Sequence, residues 1–335
     1  MAIDIVALTR ALVDIDSTTG RETEAGKLLS SFLREHDFAV TEQRVDAARF
    51  NVIATCRTPP AMVFSTHFDC VPPFFSSRID GDRVYGRGSC DAKGILAAQV
   101  AAVDRLRASG ETRAGLVFVV GEERGSDGAV VANEAAASTA PACRFLVNGE
   151  PTDNRLGIAT RGILRVRLRA SGRASHSSYP ECGESAIEKL VDTLVELRSI
   201  ELPSDPTLGR THYSVGLISG GVAPNVIPAS AEAEVMFRIV GDPAGVRNAI
   251  APLERRVAIE HVLDVPPVRL TTVPGIDAAV FPYTTDIPFL SRWGAPLLFG
   301  PGSVHAAHTA DESVSIAELH AAVDHYVAIA RALLA

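Results

Sequence analysis

Apolar residues recur every three or four positions in several stretches of the chain, which is the spacing of amphipathic helices. The helices predicted in this way are 3–14, 22–36, Ile95–Ala108, about 127–136 and 315–334. Short β-type runs lie between them at 38–41, 51–56 and 61–66, and further strands are predicted at LVFVV, RFLVN and PLLFG. The run 61–66 is nearly all apolar, which is typical of a strand buried on both faces of a covered sheet. Strands that alternate with helices predict an α/β fold with a mainly parallel mixed sheet flanked by helices.

The pattern changes at about residue 161, where apolar and polar residues begin to alternate in ILRVRLRAS, HYSVGLIS and AEAEVMFRI. Helical patterns cover Glu184–Leu197 and Pro243–Val257, so the segment predicts an α+β sandwich with one solvated sheet face. The Pro-Pro pair at 266–267 is its expected exit. We therefore expect a discontinuous domain of 1–160 and 267–335, interrupted by an inserted domain at 161–266.

Composition and charge narrow the class of protein. The chain has 335 residues, enough for one or two domains, and a formal net charge of −8 without a basic run. This charge excludes nucleic acid and anionic membrane as main partners, so we expect a small-molecule ligand. Five cysteines without a CxxC pair, no secretory leader and no apolar run of roughly 20 residues predict a soluble, cytoplasmic protein with free thiols.

Imidazoles and carboxylates follow the ends of the predicted strands. In an open α/β sheet the carboxyl ends of the strands meet at one crevice, so these groups are expected to converge although they lie far apart in the chain. A set of histidines and acids without paired cysteines suits Zn²⁺, Co²⁺ or Mn²⁺ rather than a structural thiolate site. The residues in question are His67, Asp69, Asp91, Glu122, Glu123, Glu150 and His308.

Each of these residues also has an ordinary structural interpretation. His67 is consistent with a hydrogen-bonded histidine at a strand end, Asp91 with a helix cap, and Glu150 with a turn residue. The adjacent Glu122 and Glu123 are typical of a solvated pair, but directly after a buried strand two carboxylates are costly unless a cation lies near them. The glycine-rich GRGSCDAKG has an acid where a dinucleotide loop has its third glycine, which argues against phosphate binding.

A family resemblance rests on HFDCVP, GRGSCDAKG, GEERGS, NGEPT, ASHSSYP, APNVIPA, TDIP and FGPGSVHAAHTADE, in this order. These motifs are similar to those of the acetylornithine deacetylase, succinyl-diaminopimelate desuccinylase and carboxypeptidase G family of dinuclear zinc metallohydrolases. The resemblance implies that Asp91 bridges two divalent ions. We expect these ions to be Zn²⁺, with Co²⁺ or Mn²⁺ as the alternatives. The resemblance assigns His67 and Glu150 to one ion, and Glu123 and His308 to the other.

The resemblance also implies roles outside the ligand set. Asp69 is similar to the residue that orients the ligand His67, and Glu122 to the general base. The insert resembles a lid and dimerisation domain, so a homodimer is expected. In the lid, His176 resembles an oxyanion donor that reaches a neighbouring active site, while Asn225 and Arg238 resemble substrate-holding residues.

The expected activity is the deacylation of a small N-acyl-L-amino acid, most like acetylornithine deacetylase. Other substrates left open are N-succinyl-diaminopimelate, other N-acyl amino acids and dipeptides. A hypothesis of a different class is an inactive relative that binds an amino-acid derivative. The complete ligand set together with Glu122 argues against it, because a binding protein has no physical need for a general base.

Overall fold

The computed structural model describes residues 3–56, 58–140 and 142–335, and the chain divides into two compact units. Unit 1 contains the chain up to Ile158 together with Leu270–Ala279 and Thr285–Ala335. Unit 2 contains Ala159–Arg269 and Val280–Thr284. None of the described helices is long and apolar enough to cross a membrane.

Helices and strands follow one another as the sequence pattern predicts through most of the chain. The first part contains α1 (Ile5–Val13), α2 (Thr23–Glu35), β1 (Ala39–Arg44), β2 (Phe50–Thr55), β3 (Met62–His67), β4 (Arg78–Asp80), β5 (Arg83–Tyr85), α3 (Gly94–Ala108), β6 (Ala114–Val119), α4 (Asp127–Thr139), β7 (Phe145–Asn148) and β8 (Leu156–Thr160). The middle part contains β9 (Gly162–Ser171), α5 (Ala186–Leu197), β10 (Ser204–Asp205), β11 (Gly209–Arg210), β12 (His212–Gly220), β13 (Ser230–Ile239), α6 (Pro243–Ile250), β14 (Ala258–Val265), β15 (Val268–Arg269) and β16 (Ala278–Phe281). The last part contains β17 (Ala295–Leu298), β18 (Ser313–Ser315) and α7 (Ile316–Leu334).

The main sheet of unit 1 has the strand order β1-β2-β6-β3-β7-β17. Strands β6, β3, β7 and β17 run parallel, whereas β1 and β2 join antiparallel at one edge. Alternate residues of β6 enter different cores, because Leu116 packs with α1, α2, α3 and α7, and Val117 packs with α4 and Trp293. Helices therefore cover both faces of the sheet, which confirms the predicted α/β class with a mainly parallel mixed sheet.

Unit 2 contains an antiparallel sheet of order β12-β13-β9-β14. Buried and less buried residues alternate along β9 and β13, and the buried side packs against α5 and α6 in one core. The other side carries ion pairs such as Arg167–Glu234, as expected of a solvated face.

Two details of the sequence-based elements were wrong in this unit. The helix predicted over Pro243–Val257 ends at Ile250 and continues as a 3₁₀ turn, since Pro252 has no N–H to extend the α-helix. Strand β14 was not predicted as a strand at all. It lies at the sheet edge with largely exposed side chains, so it lacks the apolar alternation that marks the other strands.

Candidate metal centre

The parallel strands of unit 1 bring three of the predicted ligands and the expected general base to one edge of the sheet. His67 is the last residue of β3 and lies opposite Val119, the last residue of β6, in parallel register. Glu122 and Glu123 follow β6 by a few residues, and Glu150 follows β7, the other neighbour of β3. The carboxyl ends of adjacent parallel strands therefore supply one imidazole and three carboxylates to a common region.

Among the described residues, two groups are placed to hold a metal ion, and they share Asp91. The first group is His67, Asp91 and Glu150, and the second is Asp91, Glu123 and His308. Within each group the ligand atoms lie within 4.8 Å of one another. His305 belongs to neither group and is exposed.

The two carboxylate oxygens of Asp91 face different histidines. Oδ1 lies 3.1 Å from His67 Nε2, and Oδ2 lies 3.3 Å from His308 Nε2. His308 Nε2 also lies 3.0 Å from Glu123 Oε1. Although burial opposes ionisation of Asp91, the hydrogen bonds with His308 and His67 hold its pKa well below its usual range. This is the geometry of a carboxylate that can bridge two cations.

Asp69 is in neither ligand group, but it binds the turn that carries Glu122 and Glu123. Its side chain is buried and accepts hydrogen bonds from the backbone N–H groups of Glu122 (3.1 Å) and Glu123 (3.2 Å). Its Oδ1 also lies 3.4 Å from His67 Nδ1, so Nε2 remains directed at Asp91. The hydroxyl of Thr19 donates to Asp69 at 2.8 Å, a contact that the sequence did not indicate.

Burial and mutual repulsion make the acids of this centre suited to cations. Burial, followed by the charge of Glu150, raises the pKa of Glu122 well above its usual range. Burial and the charge of Asp91 raise the pKa of Glu150 in the same way. One oxygen of Glu150, Oε1, is buried without a hydrogen-bond partner in the described part of the chain. The donor set therefore fits two divalent ions, because a cation supplies the partner that these carboxylates need.

Two further acids near the centre were present in the motifs but had no predicted role. Asp286, from TDIP, is buried, and this burial raises its pKa to about 7 against the opposing effect of the Ser126 side chain. Glu312, from the end of AHTADE, is buried and bonded to the loop that carries Asp91. Neither position shows an apolar pattern or a strand-end location that distinguishes it from a surface acid in the sequence.

The three predicted lid residues lie in unit 2. His176 is exposed, and its Nδ1 accepts the backbone N–H of Ser178 at 3.1 Å, which leaves Nε2 to carry the donor proton. The backbone N–H of Ser177 bonds to the carbonyl of Asn225 at 3.0 Å, so the loops of His176 and Asn225 are adjacent.

Arg238 lies at the other end of the unit 2 sheet, opposite His212 in the register of β12 and β13. Nη1 of Arg161 lies 2.8 Å from Nδ1 of His212, and two further bonds to the Leu208 carbonyl fix the Arg161 side chain. Burial, with the nearby charge of Arg161, lowers the pKa of Arg238. Two guanidinium groups therefore lie close together in a partly buried place, which favours an anionic ligand.

Comparison with known proteins gives the chain a family. A model of the peptidase family M20/M25/M40 matches residues 63–332. The chain is 38% identical over 336 residues to a peptidase M20 domain-containing protein of Schizosaccharomyces pombe, covering 96% of this chain and 83% of that protein. It is also 38% identical over 361 residues to a probable carboxypeptidase of Aspergillus terreus, covering 95% of this chain and 83% of that protein.

Solved structures show the same fold at lower identity. Aminopeptidase PepT of Bacillus cereus has a TM-score of 0.81 at 19% identity, covering 99% of this chain and 98% of that chain. The Bacillus subtilis YxeP protein, a dinuclear metal-binding peptidase of the M20 family, has a TM-score of 0.73 at 15% identity, with 98% of each chain covered. With the family match over most of its length, this chain belongs to the peptidase family M20/M25/M40 and is a metal-dependent amide-bond hydrolase.

Proposed function

We propose that this chain is a dinuclear zinc hydrolase that cleaves the amide bond of a small N-acyl amino acid, releasing an amino acid with a free α-carboxylate. The observation that carries the proposal is the pair of ligand groups that share Asp91, with Glu122 half-buried beside them. Zinc suits a site of imidazole and carboxylate ligands, and Co²⁺ or Mn²⁺ are the alternatives.

The residues of unit 1 have separate roles in the reaction: some hold the ions, one transfers the proton, and one positions another residue. His67, Asp91 and Glu150 would hold one ion, and Asp91, Glu123 and His308 the other. The ions would supply Lewis-acid polarisation of the substrate carbonyl. Glu122 takes the proton of the attacking water and later delivers it to the leaving amine. Asp69 keeps Glu122 in place because its carboxylate accepts a hydrogen bond from the backbone N–H of Glu122.

The roles proposed for unit 2 concern the substrate. In this proposal the insert is a lid whose His176 donates a hydrogen bond through Nε2 to the oxyanion. Because Nδ1 accepts the backbone N–H of Ser178, the ring proton is placed on Nε2. Arg238, with Arg161 beside it, holds the α-carboxylate of the substrate through its planar fork. Asn225 lies in the loop bonded to Ser177 and contributes a further polar contact to the substrate.

Two substrate classes share this chemistry. N-acyl amino acids are the first, with acetylornithine as the reference substrate and N-succinyl-diaminopimelate as a relative, as the sequence motifs imply. Short peptides cleaved at the C-terminal residue are the second, and the probable carboxypeptidase among the relatives supports them. In both classes the amine product is an amino acid, so Arg238 has the same role.

A paired substrate screen tests this proposal. The protein, loaded with Zn²⁺, Co²⁺ or Mn²⁺, is offered N-acetylornithine, other N-acetyl and N-succinyl amino acids, and dipeptides. Each is supplied as the free acid and as the C-terminal amide. We expect at least one free acid to be hydrolysed, and its amide to react at least about tenfold more slowly, because the charged hydrogen bonds to the carboxylate are lost. Two bound ions with no hydrolysis of any free acid would instead favour an inactive binding protein.

The surface of unit 2 supports a homodimer through the lid. The edge strand β12 has a single neighbour in its sheet, and it exposes Leu217 and Ile218. Helix α5 exposes Val191 and Val195 in the same unit. Exposed apolar residues beside an unpaired strand edge are typical of an interface, and a second copy can extend the sheet antiparallel across a two-fold axis.

The oligomeric state and the origin of the oxyanion donor can be measured separately. Light scattering should give a dimer for the wild type and a monomer for Leu217→Asp, whereas Ile79→Asp, at an exposed apolar residue of unit 1, should stay dimeric. Mixing inactive Glu122→Gln and His176→Ala chains should then restore part of the activity through hybrid sites. Heterodimers without any restored activity would mean that His176 does not act across the dimer.

A further inference from the structure

A buried ion pair lies directly under the loop that carries Asp91. Arg87 Nη1 and Glu312 Oε2 are 2.6 Å apart, and their side chains are 3% and 0% exposed. The pair is formed between residues far apart in the chain, since Arg87 precedes α3 and Glu312 precedes β18. Charges are rarely buried to this extent unless they are paired and hydrogen-bonded, so the rest of their contacts is informative.

The second oxygen of the Glu312 carboxylate binds the backbone of the loop that carries Asp91. Glu312 Oε1 accepts the backbone N–H groups of Gly88 at 2.9 Å, Cys90 at 3.1 Å and Asp91 at 3.0 Å. One side-chain oxygen thus binds three donors within four consecutive residues. Bonds from N–H groups to a carboxylate are among the stronger hydrogen bonds in proteins, so this contact fixes the path of the loop.

The carboxylate is itself held in one orientation. The Nε atom of Arg87 donates to the carbonyl of Pro73 at 3.2 Å, and its guanidinium lies 5.0 Å from the centre of the Phe75 ring. Arg87 therefore cannot turn away from Glu312 without losing these contacts. The ion pair keeps Oε2 on Arg87, and Oε1 then remains directed at the loop.

Regular secondary structure does not position Asp91. Its backbone and that of Ala92 are non-helical in the irregular turn before α3, and Asp91 lies in no strand. Yet its two oxygens must reach His67 at 3.1 Å and His308 at 3.3 Å simultaneously. A small movement of the loop would lengthen one of these contacts. The bonds to Glu312 hold the backbone of this loop, that of Asp91 included.

One short segment contacts Asp91 in two ways. His308 reaches the Asp91 side chain, and Glu312, four residues later, binds the Asp91 backbone. We propose that Glu312, held by Arg87, is a positioning residue that aligns the Asp91 carboxylate between the two ligand groups. This inference rests on the proposed function. Its consequence is that a change at Glu312 weakens the binding of both ions, although Glu312 belongs to neither ligand group.

The test measures metal binding rather than turnover. The metal-free wild type and Glu312→Gln are titrated with Zn²⁺ against a chromogenic chelator, and the Co²⁺ absorption spectrum reports ligand geometry. We expect the affinity for both ions to fall about 10- to 100-fold in the variant, with an altered Co²⁺ spectrum. The matched control is Arg83→Met, which removes two bonds to Ser313 beside Glu312 but leaves the loop contacts in place. Its metal affinity should equal that of the wild type.

A double variant separates positioning from a purely structural ion pair. Glu312→Gln alone leaves the Arg87 charge buried without its partner, whereas Arg87→Met with Glu312→Gln removes both charges of the pair. We expect the double variant to regain thermal stability but to keep the weakened affinity. Recovery of wild-type affinity with stability would overturn the inference, as would unchanged affinity in Glu312→Gln. A wild type that binds neither ion would overturn the proposed function and this inference together.

Discussion

The two ligand groups that share Asp91 differ in how the chain builds them. The His67 side chain is 1% exposed, and this residue ends a strand that is buried along its whole length. The His308 side chain is 51% exposed and lies in a loop, with a left-handed backbone of φ 61°. One group is therefore built on a rigid sheet, and the other depends on a turn that few residues other than glycine adopt.

This difference predicts unequal metal sites. The buried group is the one that contains His67. Asp69 fixes the His67 ring, and helices cover the sheet that carries this residue, so little movement is needed to bind an ion. The open group is the one that contains His308. Its imidazole ring contacts the carboxylates of Asp91 and Glu123. We expect the first ion to bind at the buried group and the second, more weakly, at the open group.

Removing the shared carboxylate should abolish the distinction between the two groups. Asp91→Ala takes one ligand from each of them, so both ions should be lost and activity should fall below that of any other single variant. Metal analysis of the purified protein measures this, and circular dichroism checks that the fold is retained. Retention of one tightly bound ion would show that Asp91 does not bridge the groups.

Glu122→Gln should leave both groups intact and remove the chemistry. Because Glu122 is in neither group, metal content should stay at the wild-type level while kcat falls by a factor of about 10² to 10⁴. Glu123→Gln is the matched control, and it should lose metal from the open group. If the Glu122 variant loses metal but keeps a normal rate per bound ion, then the roles of the two residues are reversed.

Single histidine variants should have the smallest effects, because each removes a ligand from only one of the two groups. His67→Ala should weaken the tight site, and His308→Ala only the weaker one, each by at least the roughly 10- to 100-fold that loss of a residue orienting a ligand costs. His305→Ala, three residues from His308 but outside both groups, is the control and should leave metal content unchanged. Loss of metal in His305→Ala alone would contradict the assignment.

The fold was largely predictable because each buried element has its own periodicity. The apolar run that forms β3 and the helical spacing that forms α3 are local signals, and they placed both elements within a residue or two of their observed bounds. Strand β14 was missed because its exposed residues carry no such signal. The end of α6 was predictable in principle from Pro252, but the apolar spacing beyond it was given more weight.

The site was predictable only in part, for the same physical reason. His67, Glu122 and Glu150 follow apolar strands, so strand order alone indicates that they converge. Glu312 follows no strand and looks like a surface acid, and its role depends on Arg87 more than 200 residues away along the chain. Contacts of this kind are made by tertiary packing, so no local pattern in the sequence records them.

Anomalous diffraction from crystals grown with Zn²⁺ can show whether two ions share the Asp91 carboxylate. We expect two peaks roughly 3.5 to 4 Å apart on either side of the Asp91 carboxylate, with lower occupancy on the His308 side at limiting zinc. A single peak bound by all five ligands, or two peaks that do not share Asp91, would contradict this expectation.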